Sequence, residues 1–432
     1  MKILINGINF SPELTGIGKY TGEMAEWLAA QGHQVRVVTA PPYYPQWCVA
    51  AGHANLWSTE RVNISESAYG KSAGGLKVYR CPLWVPAIPS GLKRVVHLAS
   101  FALSSFPVML WQILWHPDVV LVVEPPLFCA PHAWLVAKLG GGRAWLHIQD
   151  FEVDAAFDLG FLKGARLRRI FVACEKVMMR RFDRVSTVSQ RMFVRALAKG
   201  VSPDRMVYFP NWVDVASHGE AGQLNVHPNI RNCIAYRVEL GIAADAVVAL
   251  YSGNMGGKQG LEIMAQAAEL LREESGVVFV FCGDGSERDS LKEQCAGLMN
   301  VIFIDFQPLE RFGELLGMVD IHLLPQRADA ADLVMPSKLT GMLASGRPIV
   351  ATAQEDTELA NVVSGCGFVV EPGQPQAFAD AIMELANSPA LRAQLGASGR
   401  YYAEEHLDQV MVLGRFEAEL KELRNSAGCM PE

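Results

Sequence analysis

What the sequence lacks narrows its chemistry first. The nine cysteines (48, 81, 129, 174, 233, 282, 295, 366 and 429) are odd in number and include no CxxC pair. Disulfide frameworks and structural zinc sites need paired cysteines at short spacing, so reduced thiols in a cytoplasmic compartment are expected. No GxGxxG follows an apolar run, which disfavours a dinucleotide dehydrogenase. No GK[ST] closes a glycine loop, which argues against nucleoside triphosphate hydrolysis. Charge is sparse, at 19% of residues, with 38 Lys and Arg against 45 Asp and Glu and a net charge of −7. That balance disfavours a nucleic-acid partner. No repeat or low-complexity tract stands out. MKILINGINF is too short an apolar run for a signal peptide and is read as the first strand, over 3–9.

What is present is apolar. Half of the 432 residues are hydrophobic, which rules out disorder and permits a sizeable core. The length suggests two or three domains at roughly 150 residues each. Short apolar runs alternate with helical patterns. ILING, Lys19–Gln31 and QVRVVTA read strand, helix, strand, with Tyr20, Met24, Trp27 and Leu28 on one helix face. VVLVVE (119–124), RAWLHIQ (143–149), DRVSTVS (183–189) and RMVYFP (205–210) continue the pattern. Residues 211–244 have weak periodicity and are taken as a connection. The alternation then restarts with AVVALYSG, VVFVFCGDG, VIFID, DIHLLPQ and RPIVATA. Fully apolar strands between helices imply parallel sheets covered on both faces, here two open α/β units facing a central cleft.

From Val95 to Trp115 the chain runs 21 residues without Asp, Glu, Lys or Arg. The length would nominally span a bilayer. His97, three serines, Pro107 and Gln112 favour a buried or interfacial helix instead. Lys93 and Arg94 at its start, with Trp84, Phe101, Phe106, Trp111 and Trp115, lead us to expect contact with a membrane surface.

Five motifs carry candidate chemistry. Thr15-Gly16-Ile17-Gly18 lies between a strand and a helix, where backbone amides and the helix dipole favour an anion; an ordinary turn reads the same way. Ser252-Gly253-Asn254-Met255-Gly256-Gly257-Lys258-Gln259-Gly260 follows a strand, and such a loop holds a diphosphate with amides and one ammonium. Cys282-Gly283-Asp284-Gly285-Ser286 leaves room for a ligand against the backbone, or forms a simple turn. Met335-Pro336-Ser337-Lys338-Leu339 opens a helix with Ser337 as cap and Lys338 adding charge. His147-Ile148-Gln149-Asp150-Phe151-Glu152-Val153-Asp154 ends a strand. It fits sugar binding, acid–base work or, less well, a metal; His147 alone reads equally as a core histidine.

In this order and spacing, with YFPNWVD at the junction, PSKLTGMLASGRPIVAT and GFVVEPGQPQAFADAI, these motifs resemble family 4 of the retaining, GT-B-fold glycosyltransferases over nearly the whole chain. The resemblance implies an N-terminal Rossmann-like acceptor domain (1–210) and a C-terminal Rossmann-like nucleotide-sugar domain (211–400). A helical segment (401–432) would pack back toward the first. It places Gly16, Gly253, Asn254, Lys258, Gly283, Asp284, Gly285, Pro336, Ser337, Lys338 and Leu339 on the donor. Two departures stand out. Asn254 replaces the family's arginine, and the family's glutamate pair falls on Leu333 and Gly341. Asp150 matches the catalytic-site acid, Gln149 takes the place of the partner histidine, and His147 lies two residues earlier. His147 and Asp150 are therefore the expected catalytic pair, with Gln149 and Glu152 on the acceptor side.

The implied activity is metal-independent hexosyl transfer with retention and no cofactor. The nearest branch implies fucose as the sugar, a lipid-diphosphate-linked oligosaccharide as acceptor, and a role in colanic-acid-like exopolysaccharide assembly at the inner face of the cytoplasmic membrane. The alternatives are a catalytically silent nucleotide-sugar-binding partner and a nucleotide-sugar epimerase of the same architecture.

Overall fold

The computed structural model describes residues 1–13, 16–62, 74–88, 91–158, 164–216, 230–257, 259–274, 276–328 and 336–426. They form two compact units. The first comprises Met1–Pro210 together with the chain from Met411 onward, and the second is Asn211–Val410.

The first unit holds β1 (Lys2–Asn6), β2 (Gln34–Thr39), β3 (Ser58–Val62), β4 (Gly75–Arg80), β5 (Val119–Glu124), β6 (Arg143–Ile148), β7 (Arg184–Thr187) and β8 (Met206–Tyr208) in the order β3-β4-β2-β1-β5-β6-β7-β8. The runs VVLVVE and RAWLHI are sealed on both faces, so β5 and β6 lie at the sheet centre. The expectation of a purely parallel sheet needs one correction, because β3 runs antiparallel to β4 at the edge. Ser58–Val62 is exposed along almost its whole length and has no apolar alternation to announce it.

The second unit holds β9 (Val247–Ser252), β10 (Val277–Cys282), β11 (Val301–Ile304), β12 (Ile321–Leu324), β13 (Ile349–Thr352) and β14 (Gly367–Val370) in the order β11-β10-β9-β12-β13-β14. All its neighbours pair in parallel. Each sheet reverses its strand order once, between β1 and β5 and between β9 and β12. Open α/β sheets bind ligands at the carboxyl ends of strands flanking such a reversal.

The C-terminal segment divides at Met411, ten residues later than expected. The helix Pro389–His406 stays with the second unit, because Arg400 donates to the carbonyls of Ala344 (2.7 Å) and Val215 (3.0 Å). The helix Gln409–Asn425 completes the first unit. Its Phe416 stacks on Phe209 at 4.1 Å and meets Trp145 edge-on at 5.0 Å, and Glu417 pairs with His33 at 2.8 Å.

The helix Gly91–Gln112, continued by a short 3-10 turn to Trp115, is long and apolar enough to cross a membrane by length and composition alone. His97, Phe101, Ala102, Ser105, Met109 and Gln112 form its buried face. Leu92, Val96, Leu103, Trp111 and Leu114 are exposed, at 69, 48, 75, 56 and 76%. Their spacing puts them on one stripe of the opposite face. The half-exposed Trp84 and the exposed Trp57 join that side, since the Trp57 indole donates to the Ser104 carbonyl and the Trp84 amide to the Ser100 hydroxyl. Not all the aromatics named from sequence face out. Phe101 is fully buried, and Trp115 lies under the Arg36 guanidinium at 4.1 Å.

Candidate active site

In the second unit, two glycine loops at the ends of β9 and β10 are zipped together. The Gly253 amide donates to the Cys282 carbonyl (3.0 Å), Met255 to Asp284 (2.8 Å) and Glu287 to Met255 (2.9 Å). The approach is close enough to require glycine. A Cβ on Gly283 would lie 2.0 Å from the Gly253 carbonyl oxygen, and one on Gly285 2.4 Å from that of Met255. Both residues also adopt positive φ, 145° and 151°. These glycines thus serve the loop-to-loop contact itself. Beside the loops is a cavity of about 400 Å³, including the space at its mouth, lined by Gly256, Gly260, Glu262, Glu287, Gln294 and Arg327.

Lys338 reaches this region from the segment after β12. Its Nζ donates to the Tyr251 hydroxyl at 2.9 Å and sits 4.0 Å over the same ring. The Tyr251 hydroxyl donates in turn to the Asn254 carbonyl at 2.7 Å. Burial pushes the Lys338 ammonium down to about 7. Asn254 and Asp284 are placed by these loops, and the Asp284 carboxylate accepts from the Gly285 amide at 2.8 Å. Pro336 and Ser337 precede Lys338 in the same turn, where the Pro336 carbonyl accepts from the Leu339 amide and that of Ser337 from the Thr340 hydroxyl. Two local expectations change. The Leu339 side chain is 2% exposed and packs in the core, and its amide is taken by Pro336, so Leu339 is not a donor contact. Lys338 rather than Ser337 occupies the cap of the helix Leu339–Ala344, with no side-chain cap bond. Lys258 and Leu333 lie outside the described residues. At Gly341 an added Cβ would meet nothing within 4 Å.

In the first unit, Gly16 begins the helix Gly16–Ala30 at φ 59°. The preceding loop is held by Glu13, whose carboxylate accepts from the amides of Tyr43 (3.0 Å) and Tyr44 (3.1 Å) and from the Asn9 side chain (2.9 Å). His147 is 2% exposed. Its Nδ1 is 2.9 Å from the Ser186 hydroxyl and its Nε2 2.9 Å from the Gln149 amide nitrogen. Trp145 also donates to that hydroxyl, at 2.8 Å. The network assigns a neutral ring, with Nδ1–H donating to Ser186 and Nε2 accepting from Gln149. Burial pushes its pKa down to about 3, and Phe209 covers the ring at 4.9 Å. With both nitrogens engaged and its ring covered, His147 is placed as a core histidine that orients Gln149, a setting that disfavours the acid–base role expected of it.

Asp150 and Glu152 are half-buried beyond the same strand end. Glu152 accepts from the Leu127 amide at 2.9 Å, and burial raises it to about 7, with Asp150 and Glu175 adding repulsion. Nearby Lys199 bridges Asp154 at 2.7 Å and Glu175. Among the described residues no group of three His, Cys, Asp or Glu side chains is arranged to hold a metal ion.

Residues 15–212 match the glycosyl transferase 4-like domain and residues 246–388 the glycosyl transferases group 1 domain. WcaI of Escherichia coli (strain K12), named as a colanic acid biosynthesis glycosyl transferase, is 43% identical over 424 residues, covering 96% of this chain and 98% of that protein. The chain belongs to this glycosyltransferase family. Among solved structures, the sucrose-phosphate synthase of Thermosynechococcus elongatus superposes with a TM-score of 0.72 at 15% identity, covering 99% of this chain and 100% of that one. Anabaena HepE in complex with UDP and glucose gives 0.67 at 14% identity, covering 98% and 100%. These likenesses show the GT-B fold.

Sequence reasoning missed three residues of this glycosyltransferase. Tyr251 read as a core strand residue, and only its hydroxyl partners distinguish it. Glu13 precedes the glycine turn, but its bonds reach Tyr43 and Tyr44 across the sheet. Glu124, 0% exposed at the end of β5, has no hydrogen-bond partner at either carboxylate oxygen among the described residues. Its place as an acid ending the otherwise apolar run VVLVVE was the available signal.

Proposed function

We propose that this glycosyltransferase moves a hexose, with fucose as the expected sugar, from a nucleotide diphosphate sugar to a lipid-diphosphate-linked oligosaccharide in colanic-acid-like exopolysaccharide assembly. The transfer proceeds with retention and without a catalytic metal. The observation that carries the donor half is the half-buried Lys338, whose ammonium is fixed against Tyr251 at the β9–β12 strand reversal, beside two interlocked glycine loops. A diphosphate leaving group gathers negative charge, and a desolvated, pre-positioned cation stabilises that charge more strongly than water does. The polysaccharide half rests on the 43% identity to WcaI.

On the acceptor side, Asp150 is the carboxylate of the expected pair that stands near the surface, and Gln149 is steadied behind it by His147. The leaving diphosphate takes the acceptor hydroxyl proton on the same face of the sugar, which gives retention. The exposed apolar stripe of Gly91–Trp115, with Lys93 and Arg94 at its start, supports docking on the anionic inner face of the cytoplasmic membrane, where a lipid-linked acceptor resides.

The test is a thermal-shift panel of GDP-, UDP- and dTDP-sugars on the wild type and Lys338→Met. A ligand at 100 times its dissociation constant stabilises by about 2.7 kcal/mol. One nucleotide class should shift the wild type and not the variant, and transfer to acceptor should survive chelation of divalent metals. A shift retained in Lys338→Met would refute the donor site. Donor binding with no transfer would favour the silent-partner reading, and donor conversion without acceptor the epimerase.

A further inference from the structure

We propose that Tyr251 is a positioning residue that keeps Lys338 chargeable, so that donor binding is coupled to proton uptake at that lysine. The inference rests on the reading of Lys338 as the diphosphate contact and deepens it. The two residues are 87 positions apart and meet only through the fold. Tyr251 is the penultimate residue of β9, and its ring is fully buried among the strands and helices of the second unit. A phenylalanine would satisfy that packing. The hydroxyl is what departs from a core role.

Its geometry is that of a relay with one free sense. The hydroxyl has a single proton, which is directed at the Asn254 carbonyl at 2.7 Å. The oxygen accepts from the Lys338 Nζ at 2.9 Å, and donation of its own proton to the carbonyl makes it a better acceptor. The same ring presents its face to the ammonium at 4.0 Å, a second interaction that favours the charged form. Among the described residues no carboxylate offsets the burial of Lys338, which pushes its pKa down to about 7. Tyr251 therefore supplies the counterweight to that burial, without the standing negative charge that would repel a diphosphate. A carboxylate in its place would fix the lysine as an ion pair and compete with the ligand. A phenol oxygen holds the cation in position and leaves its charge for the anion. The hydroxyl also ties the ammonium to the glycine loop, because Asn254 follows Gly253, where an added Cβ would lie 3.5 Å from Nζ.

The experiment titrates the full chain calorimetrically with UDP-glucose and GDP-fucose, whose phosphates do not titrate in the range, following the tighter binder from about pH 5 to 9.5, for the wild type, Tyr251→Phe, Lys338→Met and Lys338→Arg. If only the charged lysine binds, wild-type affinity falls about tenfold per pH unit above the break near 7. Binding should then take up a proton, measured as a dependence of the heat on buffer ionisation enthalpy. Tyr251→Phe is expected to move the break to lower pH and to weaken binding several-fold at pH 8, with little change at pH 5. Lys338→Arg cannot lose its proton in this range, so its affinity should be flat with pH, whatever its absolute value.

A Tyr251→Phe curve that coincides with the wild type, or lies uniformly below it at every pH, would overturn the proposal and leave Tyr251 as packing. A Lys338→Arg curve parallel to the wild type would overturn it as well, and does not depend on Tyr251→Phe folding. Wild-type affinity in Lys338→Met would instead overturn the donor-site reading on which the proposal stands. These failures are therefore distinguishable.

Discussion

Replacing Phe416 by alanine tests whether the C-terminal helix completes the core of the first unit. The ring is 2% exposed, stacked on Phe209 at 4.1 Å with an interplanar angle of 9°, and meets the buried Trp145 at 5.0 Å and 75°. Truncation removes the transfer free energy of the ring, leaves a cavity between two rigid aromatics and ends both ring contacts. Buried Phe→Ala changes of this kind cost about 3–5 kcal/mol, the aromatic pairing being part of that sum. For a unit of this size, each kcal/mol moves the melting midpoint by about 2–4 °C, so a fall of about 10 °C is expected by calorimetry. Phe416→Leu keeps most of the volume and should cost under about 1.5 kcal/mol. The same cavity opens toward His147, whose ring touches Phe209 at 4.9 Å and whose pKa burial holds at about 3. In Phe416→Ala the imidazole should titrate at higher pH, read from its ring resonances by NMR, because less of it is desolvated. A loss below about 0.5 kcal/mol, within the range of ordinary surface changes, would refute the claim that this helix is part of the core.

Glu124→Gln should stabilise the protein at pH 8 and make no difference near pH 4. Burial, with Glu175 and Glu152 nearby and Lys199 opposing, raises the Glu124 carboxyl well above its ordinary 4.5. Between those two values the unfolded chain holds fewer protons than the folded one, so wild-type stability declines as pH rises through that window, and glutamine is spared the decline. Relief of a buried, unpartnered ionisable group is worth on the order of 1–3 kcal/mol, and an equal change in melting temperature at both pH values would contradict this account. For the membrane surface, Trp57→Glu combined with Trp111→Glu places two charges on the exposed apolar side of Gly91–Trp115 and should release the protein from phosphatidylglycerol vesicles in co-sedimentation. Undiminished sedimentation would rule out that face as the docking surface.

The two α/β units were legible because sealed strands such as VVLVVE and VVFVFC must be apolar at every position, and that signal survives in a single sequence. The glycine loops were legible for a related reason. Gly283 and Gly285 take backbone angles that other residues resist, so their identity advertises a constraint. The purpose of that constraint was not legible. The glycines serve the approach of one loop to another, which is known only once β9 and β10 lie side by side. The β3–β4 edge left no pattern, because an exposed strand need not alternate.

The functional residues divide in the same way. Sequence determined that a lysine follows Pro336 and Ser337 and that an acid-rich turn follows His147. Tertiary structure decided what those residues are. His147 became a core histidine because Phe209 covers its ring and Phe416, more than 200 residues further on, stacks behind that cover. Burial by the surrounding fold pushes the Lys338 ammonium down to about 7, and the same fold sets it against the Tyr251 hydroxyl. Periodicity reports which side of an element faces the core, since burial acts on each residue through its neighbours on the same strand or helix. Protonation and hydrogen-bond partnership depend on groups brought from elsewhere in the chain, and their positions follow from packing that no local pattern encodes.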